Sequence, residues 1–307
     1  MAIKYVALFG ANGNLGTVAL QSLVSSGHFR VAVVKRASSP YELPPALQAV
    51  VDLRTVDDSL SLASLQAVLT GQDAVVVSIP LRDPAQHLRI AEAARAAGVR
   101  RVIPADYGSC DSDSARAQEL VPLFAHKAAV RARLQELAAA SAGGFAWTSL
   151  VVGHFFDWGL RENFLHFDLA ARTAEILDHG RYKSSTATLA RVGEAIVAIL
   201  AADEERTRNK VLFIQSFCVS QLDVLAALER ATGAKWEVKF VESGAFIADR
   251  KAKADAGDRA AVEDLVFALG ALDGNWEPRD GFAMDVLGLE NEDLDEVVKR
   301  VVESTRA

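Results

Sequence analysis

The sequence predicts an α/β protein with a Rossmann-type, doubly wound parallel sheet and a smaller α/β C-terminal domain. Strand and helix patterns alternate five times along the first half of the chain, as expected for a parallel sheet with helices on both faces. Residues 73–79 are almost continuously apolar and β-branched, which is typical of a strand buried on both faces. We predict domains at residues 1–152 and 153–307, and leave open a return of the second part to the first sheet.

A glycine-rich turn follows the first strand, where Gly10, Gly13 and Gly16 have the spacing G-x-x-G-x-x-G. Glycine permits a tight turn and a close approach of a pyrophosphate to the backbone, and a helix N-terminus attracts anions. Because the common fingerprint is G-x-G-x-x-G, the glycines alone fit a plain strand-to-helix turn equally well. Their place between a strand and a helix favours a dinucleotide site, and the candidate contacts are Gly10, Asn12, Gly13, Asn14, Leu15 and Gly16.

The second strand, near residues 29–34, ends at Lys35 and Arg36, with two serines just beyond. A fold that binds NAD(H) usually carries an acidic residue here for the ribose 2′-hydroxyl. This chain has two cations instead, and arginine presents a planar fork to phosphate oxygens. We therefore expect NADP(H), with Lys35 and Arg36 at its 2′-phosphate. The alternative is a pair of solvated surface cations.

The end of the fourth strand is a further candidate contact with the cofactor. Ser78, Ile79 and Pro80 follow that strand directly, and ligands of such folds lie at the carboxyl ends of the strands. A fifth strand begins near Arg101 and leads to Tyr107. A helix is then predicted over residues 121–140.

Lys127 lies on the apolar face of that helix, three residues after Phe124 and three before Val130. It is the only lysine between Lys35 and Lys183. Because the pKa of a buried lysine shifts readily, Lys127 is a candidate proton donor near the cleft. The alternative is a side chain with a buried stem and a solvated ammonium group.

Aromatic residues are concentrated just after the sixth strand, at Phe155, Phe156 and Trp158. They could form a wall for a flat aromatic substrate, and the alternative is ordinary core beneath a cap. His154 precedes them. Its near-neutral pKa makes it a reserve acid or a substrate anchor, unless it is a hydrogen-bonded core histidine.

The remaining chain is predicted to be mixed and rich in helices. Helices are expected over residues 164–179, 192–202 and 220–231, and strands over 211–214 and 236–241. An acidic tail helix over residues 291–296 is expected to present a solvated face. We find no internal repeat and no low-complexity linker, so the two domains are expected to share one interface with the cleft between them.

Composition excludes several classes of function. A net charge of -7 and a pI near 5.5 argue against a nucleic-acid surface, and no apolar run approaches the ~18 residues of a membrane span. Cys110 and Cys218 alone make neither a disulfide framework nor a cysteine metal site. Without a recognisable signal segment, we expect a cytoplasmic monomer or homodimer without metal, whose partner is a small molecule.

The sequence resembles the atypical short-chain dehydrogenase family that joins the NmrA-like proteins to the isoflavone and phenylcoumaran benzylic ether reductases, and most of all its fungal branch. The matching segments are residues 10–16, 36–39, 98–108, 124–127 and 232–236. The Tyr-Lys pair of other short-chain dehydrogenases is absent, because Leu123 lies four residues before Lys127.

The resemblance implies roles for several residues. Lys127 matches the lysine that the reductases use to assist proton transfer, and Arg36, with Lys35, matches the site of the 2′-phosphate. Residues 151–158 match the segment that ends the sixth strand and puts an Asn-Phe-Phe run beside the nicotinamide. Its candidate cofactor contacts here are Gly153, His154, in place of the asparagine, and Phe155.

These observations predict an NADPH-dependent reductase of a conjugated aromatic or phenolic molecule, such as an enone, a quinone-methide-like species or an imine. Lys127 is the candidate catalytic residue and also a cofactor contact. The candidate substrate contacts are Tyr107, Phe124, His154, Phe156 and Trp158. Two alternatives stay open, a non-catalytic NADP(H)-sensing regulator with the same fold and a reductase of aliphatic carbonyls.

Overall fold

The computed structural model describes residues 2–306. In chain order its strands are β1 (Tyr5–Phe9), β2 (Arg30–Arg36), β3 (Val51–Val56), β4 (Ala74–Val77), β5 (Arg101–Ile103), β6 (Ala146–Val151), β7 (His154–Phe155), β8 (Phe167–Asp168), β9 (Thr173–Leu177), β10 (Lys183–Ala187), β11 (Lys210–Phe213), β12 (Phe217–Ser220) and β13 (Glu237–Val241).

The α-helices are α1 (Asn14–Ser25), α2 (Leu62–Leu69), α3 (Pro84–Ala96), α4 (Ala115–Leu120), α5 (Pro122–Ala139), α6 (Phe156–Arg161), α7 (Leu189–Ala201), α8 (Glu204–Thr207), α9 (Gln221–Thr232), α10 (Ser243–Asp255), α11 (Arg259–Asp273), α12 (Met284–Leu287) and α13 (Leu294–Arg306). A short 3-10 helix spans Pro45–Leu47.

A parallel seven-stranded sheet forms the centre, in the order β11-β6-β5-β4-β1-β2-β3. All residues of β4 and β6 are buried, as expected for strands covered on both faces. The strand order reverses between β1 and β4, so a crevice opens at the carboxyl ends of these two strands. The predicted doubly wound fold is confirmed.

Helices cover both faces of this sheet. α1 and α7 pack against each other over one apolar cluster, which includes Leu8 and Val33. α3 packs against both α2 and α5 over a second cluster on the opposite face, which includes Phe9 and Val75. Neighbouring residues of β1 therefore alternate between the two clusters, with Leu8 in the first and Phe9 in the second.

The C-terminal part contains two small sheets, β12-β10-β7 and β13-β9-β8. Aromatic side chains such as Phe156, Phe217 and Trp236 form a third core there. The helix α7 and the strand β11 return to the central sheet, where β11 pairs with β6. The sequence left this return open, and the boundary between residues 152 and 153 stays a prediction.

The predicted helix over residues 164–179 is wrong, because this segment contains the strands β8 and β9. Asn163, His166 and Arg172 have φ values of 56°, 60° and 55°, which a right-handed helix cannot accommodate. The register of β9 with β13 joins residues distant in sequence. Such tertiary pairing overrides the local pattern.

The predicted solvated face at residues 291–296 needs a correction at Glu292. Its carboxylate accepts hydrogen bonds from the hydroxyl groups of Thr188, at 2.8 Å, and Ser216. α13 begins only at Leu294. Glu292 therefore attaches the C-terminal segment to the start of α7.

Candidate cofactor and active site

A cavity of about 390 Å³ opens at the carboxyl ends of β1, β2 and β4, at the crevice created by the strand order. It brings together predicted cofactor contacts from three segments, namely Gly10, Asn12, Gly13, Lys35, Arg36, Ser78, Ile79 and Pro80. Its wall also contains residues that the sequence reasoning did not single out, among them Tyr41, Val56, Leu60, Arg82 and Gln86.

The protein itself requires glycine at positions 10 and 16 but not at position 13. Gly10 has a φ of +86° and packs against the backbone of Ser78, and a Cβ on Gly16 would lie 1.8 Å from the carbonyl oxygen of Gly10. Both therefore hold β1, α1 and β4 close together. A Cβ on Gly13 would meet only that same oxygen, at 3.5 Å, so the surrounding protein does not require glycine there. The close approach of a ligand remains as the physical reason for Gly13.

The N-terminus of α1 lies beside this cavity. Gly13 is the N-cap, no side chain caps the helix, and its first turn holds no acidic residue. The first backbone N–H groups are therefore available to an anion, which the helix dipole also favours. Asn14 is exposed at the helix start, whereas Leu15 and Gly16 are buried beneath it. This uncapped N-terminus of α1 fits the pyrophosphate of a dinucleotide.

The two predicted 2′-phosphate cations differ in their surroundings. The half-buried Lys35 donates from Nζ to the carbonyl oxygens of Ser39, at 3.2 Å, and Tyr41, at 3.0 Å, so it fixes the loop after β2. Arg36 is exposed in the cavity wall. Its guanidinium forms no side-chain hydrogen bond or close ion pair within residues 2–306. Hydrogen bonds from Ser38 lower the pKa of Asp58, and the charge of Arg36 adds to this shift.

Arg82 is a cation that the sequence reasoning missed. It enters the same cavity wall from the loop between β4 and α3 and is exposed. The only available signal was its position two residues after Pro80. The cavity is therefore bordered by guanidinium groups from two of its walls.

Lys127 is buried on α5, with 8% of its surface exposed. Its Nζ donates to the carbonyl oxygen of Asp106 at 3.3 Å and lies 5.5 Å from the centroid of the Phe124 ring. Burial lowers the pKa of Lys127, and the negative charge of Asp106 opposes this shift. The alternative of a solvated ammonium group does not describe this side chain.

A buried ion pair supports the segment that holds Lys127. The carboxylate of Asp106 accepts hydrogen bonds from Nε of Arg131, at 3.1 Å, and from the hydroxyl of Ser149. Arg131 also donates to Asp111 at 3.0 Å, and its pKa is raised by the charges of Asp106 and Asp111 despite burial. The sequence reasoning missed Arg131, although its position four residues after Lys127 puts both on one helix face.

The predicted aromatic substrate contacts divide into half-buried and fully buried side chains. Tyr107, Phe155 and Trp158 pack, half-buried, against the cluster beneath α1 and α7. Phe124 is buried beside Lys127, whereas Phe156 is buried in the C-terminal core with its ring 4.8 Å from that of Phe217. The alternative of ordinary core therefore describes the surroundings of Phe156, and its contact with substrate stays untested.

His154 and Gly153 form a tight corner between β6 and β7. Gly153 has a φ of +72°, and a Cβ on it would lie 2.0 Å from the carbonyl oxygen of Ser185. Burial lowers the pKa of His154 to about 4, so its imidazole is neutral at pH 7. His154 and Phe156 also line a second cavity of about 30 Å³, which has room for about one water but not for an aromatic ring.

Tyr107 carries a buried hydroxyl with no hydrogen-bond partner in the described chain. Burial raises the pKa of this phenol, so it stays protonated and can only act as a donor or acceptor in its neutral form. An unpaired buried hydroxyl costs about 1–3 kcal/mol. An ordered water or a ligand that pairs with the hydroxyl would remove this cost.

Comparison with known proteins shows the family of this chain. A model of the NmrA-like family matches residues 3–256. The chain belongs to the NmrA-like family. Within residues 2–306 of this NmrA-like protein, no helix has both the length and the apolar character that crossing a membrane requires.

Two fungal relatives of this NmrA-like protein are named oxidoreductases. Oxidoreductase aprR of Aspergillus flavus is 29% identical over 317 aligned residues, which cover 98% of this chain and 99% of that protein. Oxidoreductase poxI of Penicillium oxalicum is 30% identical over 305 residues, which cover 95% of this chain and 92% of that protein.

Two solved structures whose titles name a nicotinamide cofactor share the fold. The binary complex of leucoanthocyanidin reductase and NADPH from Vitis vinifera superimposes with a TM-score of 0.78 at 15% identity, over 97% of this chain and 99% of that chain. The structure of AtPrR2 with NADP+ and (+)pinoresinol gives 0.77 at 18% identity, over 98% and 99%.

Proposed function

We propose that the protein is an NADPH-dependent reductase of conjugated aromatic or phenolic small molecules, with Lys127 as the proton donor. The observation that carries this proposal is a buried lysine of lowered pKa, held by the segment that follows β5 in a dinucleotide-binding fold. The names of the fungal relatives support the reductase activity, and the cofactors named with the two solved structures support NADP(H).

The cavity at β1, β2 and β4 is the proposed cofactor site. The backbone from Gly10 to Gly13 and the N-terminus of α1 would hold the pyrophosphate, and Arg36 would hold the 2′-phosphate. Ser78, Ile79 and Pro80 would line the cleft between the two halves of the sheet. NADPH, when bound, supplies the hydride.

Lys127 would protonate, or polarise, the oxygen on which negative charge develops. An ammonium group in a site that excludes water stabilises such a charge far better than it would in solution. The lowered pKa brings Lys127 closer to the pH at which a proton donor works best. Asp106 orients Nζ through its carbonyl oxygen, and Arg131 keeps that segment in place.

Half-buried aromatic rings support the proposal that the substrate is aromatic. Phe155, Trp158 and Tyr107 pack against one apolar cluster beneath α1 and α7, and flat rings of this kind favour stacked or edge-to-face contacts with an aromatic ligand. Phe124 and His154 are deeper, and we assign them no direct contact with substrate.

The proposal predicts that Arg36→Ala weakens NADPH binding about 10–100-fold, because a charge-assisted hydrogen bond to phosphate contributes about 1.5–3 kcal/mol. NADH binding should change less than about twofold, since NADH lacks the phosphate. Dissociation constants for both cofactors, from nucleotide fluorescence, give the ratio. Arg30→Ala is the matched control, because Arg30 is exposed at the opposite end of β2. An unchanged ratio in Arg36→Ala would exclude this role.

Tyr107→Phe should lower kcat/KM about tenfold, the loss expected for one neutral hydrogen bond to the substrate. Because the hydroxyl has no hydrogen-bond partner among residues 2–306, the melting temperature should stay at or above that of the parent. Tyr182→Phe is the control, since Tyr182 is exposed and lies outside the proposed cofactor cavity. Activity equal to that of the parent would show that the Tyr107 hydroxyl does not bind the substrate.

The direct test follows NADPH oxidation by the parent across conjugated aromatic ketones, enones and phenolic ethers, with aliphatic ketones as the comparison set. Turnover confined to the aromatic set supports the proposed substrate class, and turnover confined to the aliphatic set contradicts it. NADPH binding without any oxidation would favour the sensing regulator instead.

A further inference from the structure

His154 lies where the Rossmann part meets the C-terminal helix α11. The backbone carbonyl of His154 accepts a hydrogen bond from the Thr186 hydroxyl at 2.8 Å, which fixes β7 to β10. Its ring lies 6.0 Å from the ring of Phe267 at an interplanar angle of 24°, and 5.8 Å from that of Phe164. The imidazole is therefore enclosed by β7, α11 and the segment after α6.

Gly270 on α11 provides the space for this ring. A Cβ on Gly270 would lie 2.3 Å from Nε2 of His154 and 2.5 Å from its Cε1, closer than non-bonded atoms approach. Gly270 lies inside a helix of fifteen residues, where glycine is normally a poor choice and alanine a good one. The imidazole thus packs directly on the helix backbone.

The same helix is linked to the segment that holds Lys127. Nε2 of His154 lies 3.4 Å from the carbonyl oxygen of Val266, and the hydroxyl of Ser109 donates to that oxygen at 3.1 Å. Ser109 follows Gly108, which lies close to Nζ of Lys127, as a Cβ built on Gly108 would be 3.4 Å from it. One carbonyl oxygen of α11 therefore contacts both His154 and the segment that holds Lys127.

We propose that His154 and Gly270 form a lock that docks α11 against the segment of residues 106–110 and so positions Lys127. The His154–Gly270 lock makes His154 a positioning residue and not a proton donor. Nε2 donates its proton to a helix carbonyl, which leaves no acidic proton at that nitrogen for a substrate. The effect on turnover rests on the proposed reductase function, whereas the packing of the lock does not.

A double-mutant cycle tests the lock, because the change in melting temperature caused by Gly270→Ala should lose or reverse its sign when His154 is removed. In the parent, Gly270→Ala should lower the melting temperature by roughly 4–8 °C, because overpacking against His154 outweighs the better helix propensity. In the His154→Ala background, the same change should leave the melting temperature unchanged or raise it. His126→Ala is the control background, because His126 lies half-buried on α5.

Two further measurements separate positioning from general stability. Amide hydrogen exchange in α11 should be at least about tenfold faster in Gly270→Ala, and parent-like in the double variant with His154→Ala. At a temperature where all variants are folded, Gly270→Ala should lower kcat with little change in NADPH affinity. His154→Gln, which keeps an N–H donor, should retain more of kcat than His154→Ala.

The outcomes distinguish the lock from the proposed function. If Gly270→Ala has the same effect on melting temperature and exchange in both backgrounds, the lock is wrong, whatever the activity. If the cycle shows the expected reversal but kcat is insensitive to it, the lock exists without positioning Lys127. If the parent oxidises no NADPH, only the proposed function fails, and the cycle still decides the packing.

Discussion

Lys127→Met should oxidise NADPH at least ~100-fold more slowly than the parent, because a positioned general acid contributes about 10²–10⁴-fold to the rate. Methionine has a similar length and an apolar side chain, so it should fill the buried space between Phe124 and Asp106. NADPH affinity should stay within a few-fold of that of the parent. Single-turnover kinetics and cofactor titration measure the two effects separately.

The pH dependence gives an independent signature of the same residue. The ammonium form of Lys127 is the donor, and its pKa is lowered by burial. The rate of the parent should therefore fall as pH rises through this lowered pKa, at a pH below the titration of a solvated lysine. Lys127→Met should lack this decline.

Lys127→Arg is the matched control for charge. Arginine keeps the positive charge but does not release its proton, so its variant should also be slow if proton transfer is the role of Lys127. A fast Lys127→Arg variant would show that Lys127 contributes to the rate by electrostatic stabilisation alone and not by proton transfer. Full activity of Lys127→Met would contradict any catalytic role.

Much of the nucleotide-binding half could be predicted because its signals are local. The glycine spacing, the cations after β2 and the apolar β4 each have a direct backbone or side-chain reason. The spacing around Lys127 put it on the apolar helix face, since residues three and four apart share one face. It left a solvated ammonium group open, and the structure shows a buried side chain.

Contacts distant in sequence could not be predicted in the same way. The helix expected over residues 164–179 became strands through the pairing of β9 with β13, and Glu292 is attached to Thr188, which lies 104 positions earlier. Lys35 lines the cavity, but its bonds to Ser39 and Tyr41 depend on a loop conformation that no spacing encodes.

His154 illustrates the same limit within the site. Its chemistry allowed an acid, an anchor or a core residue, and the sequence offered no way to choose. The choice depends on Gly270, more than a hundred positions later, whose missing side chain makes the room for the ring. Only the fold joins these two residues.

Gly13→Ala and Gly16→Ala should have opposite effects on stability and binding. The Cβ of alanine at position 13 would meet only the carbonyl oxygen of Gly10, at 3.5 Å, and Gly13 has a φ of -84°, which alanine adopts readily. The melting temperature should therefore stay close to that of the parent. NADPH affinity should fall at least ~30-fold, because the methyl group occupies the approach of the pyrophosphate.

At position 16 the clash is with the protein itself. A Cβ there would lie 1.8 Å from the carbonyl oxygen of Gly10 and 2.9 Å from Oγ of Ser78, so β1 and α1 must separate. Gly16→Ala should cost about 3 kcal/mol or more of the free energy of unfolding, at the upper end of overpacking effects. Thermal melts and NADPH titrations of both variants test the contrast. If Gly13→Ala binds NADPH as the parent does, the pyrophosphate does not pass over Gly13 and the proposed cofactor site is wrong.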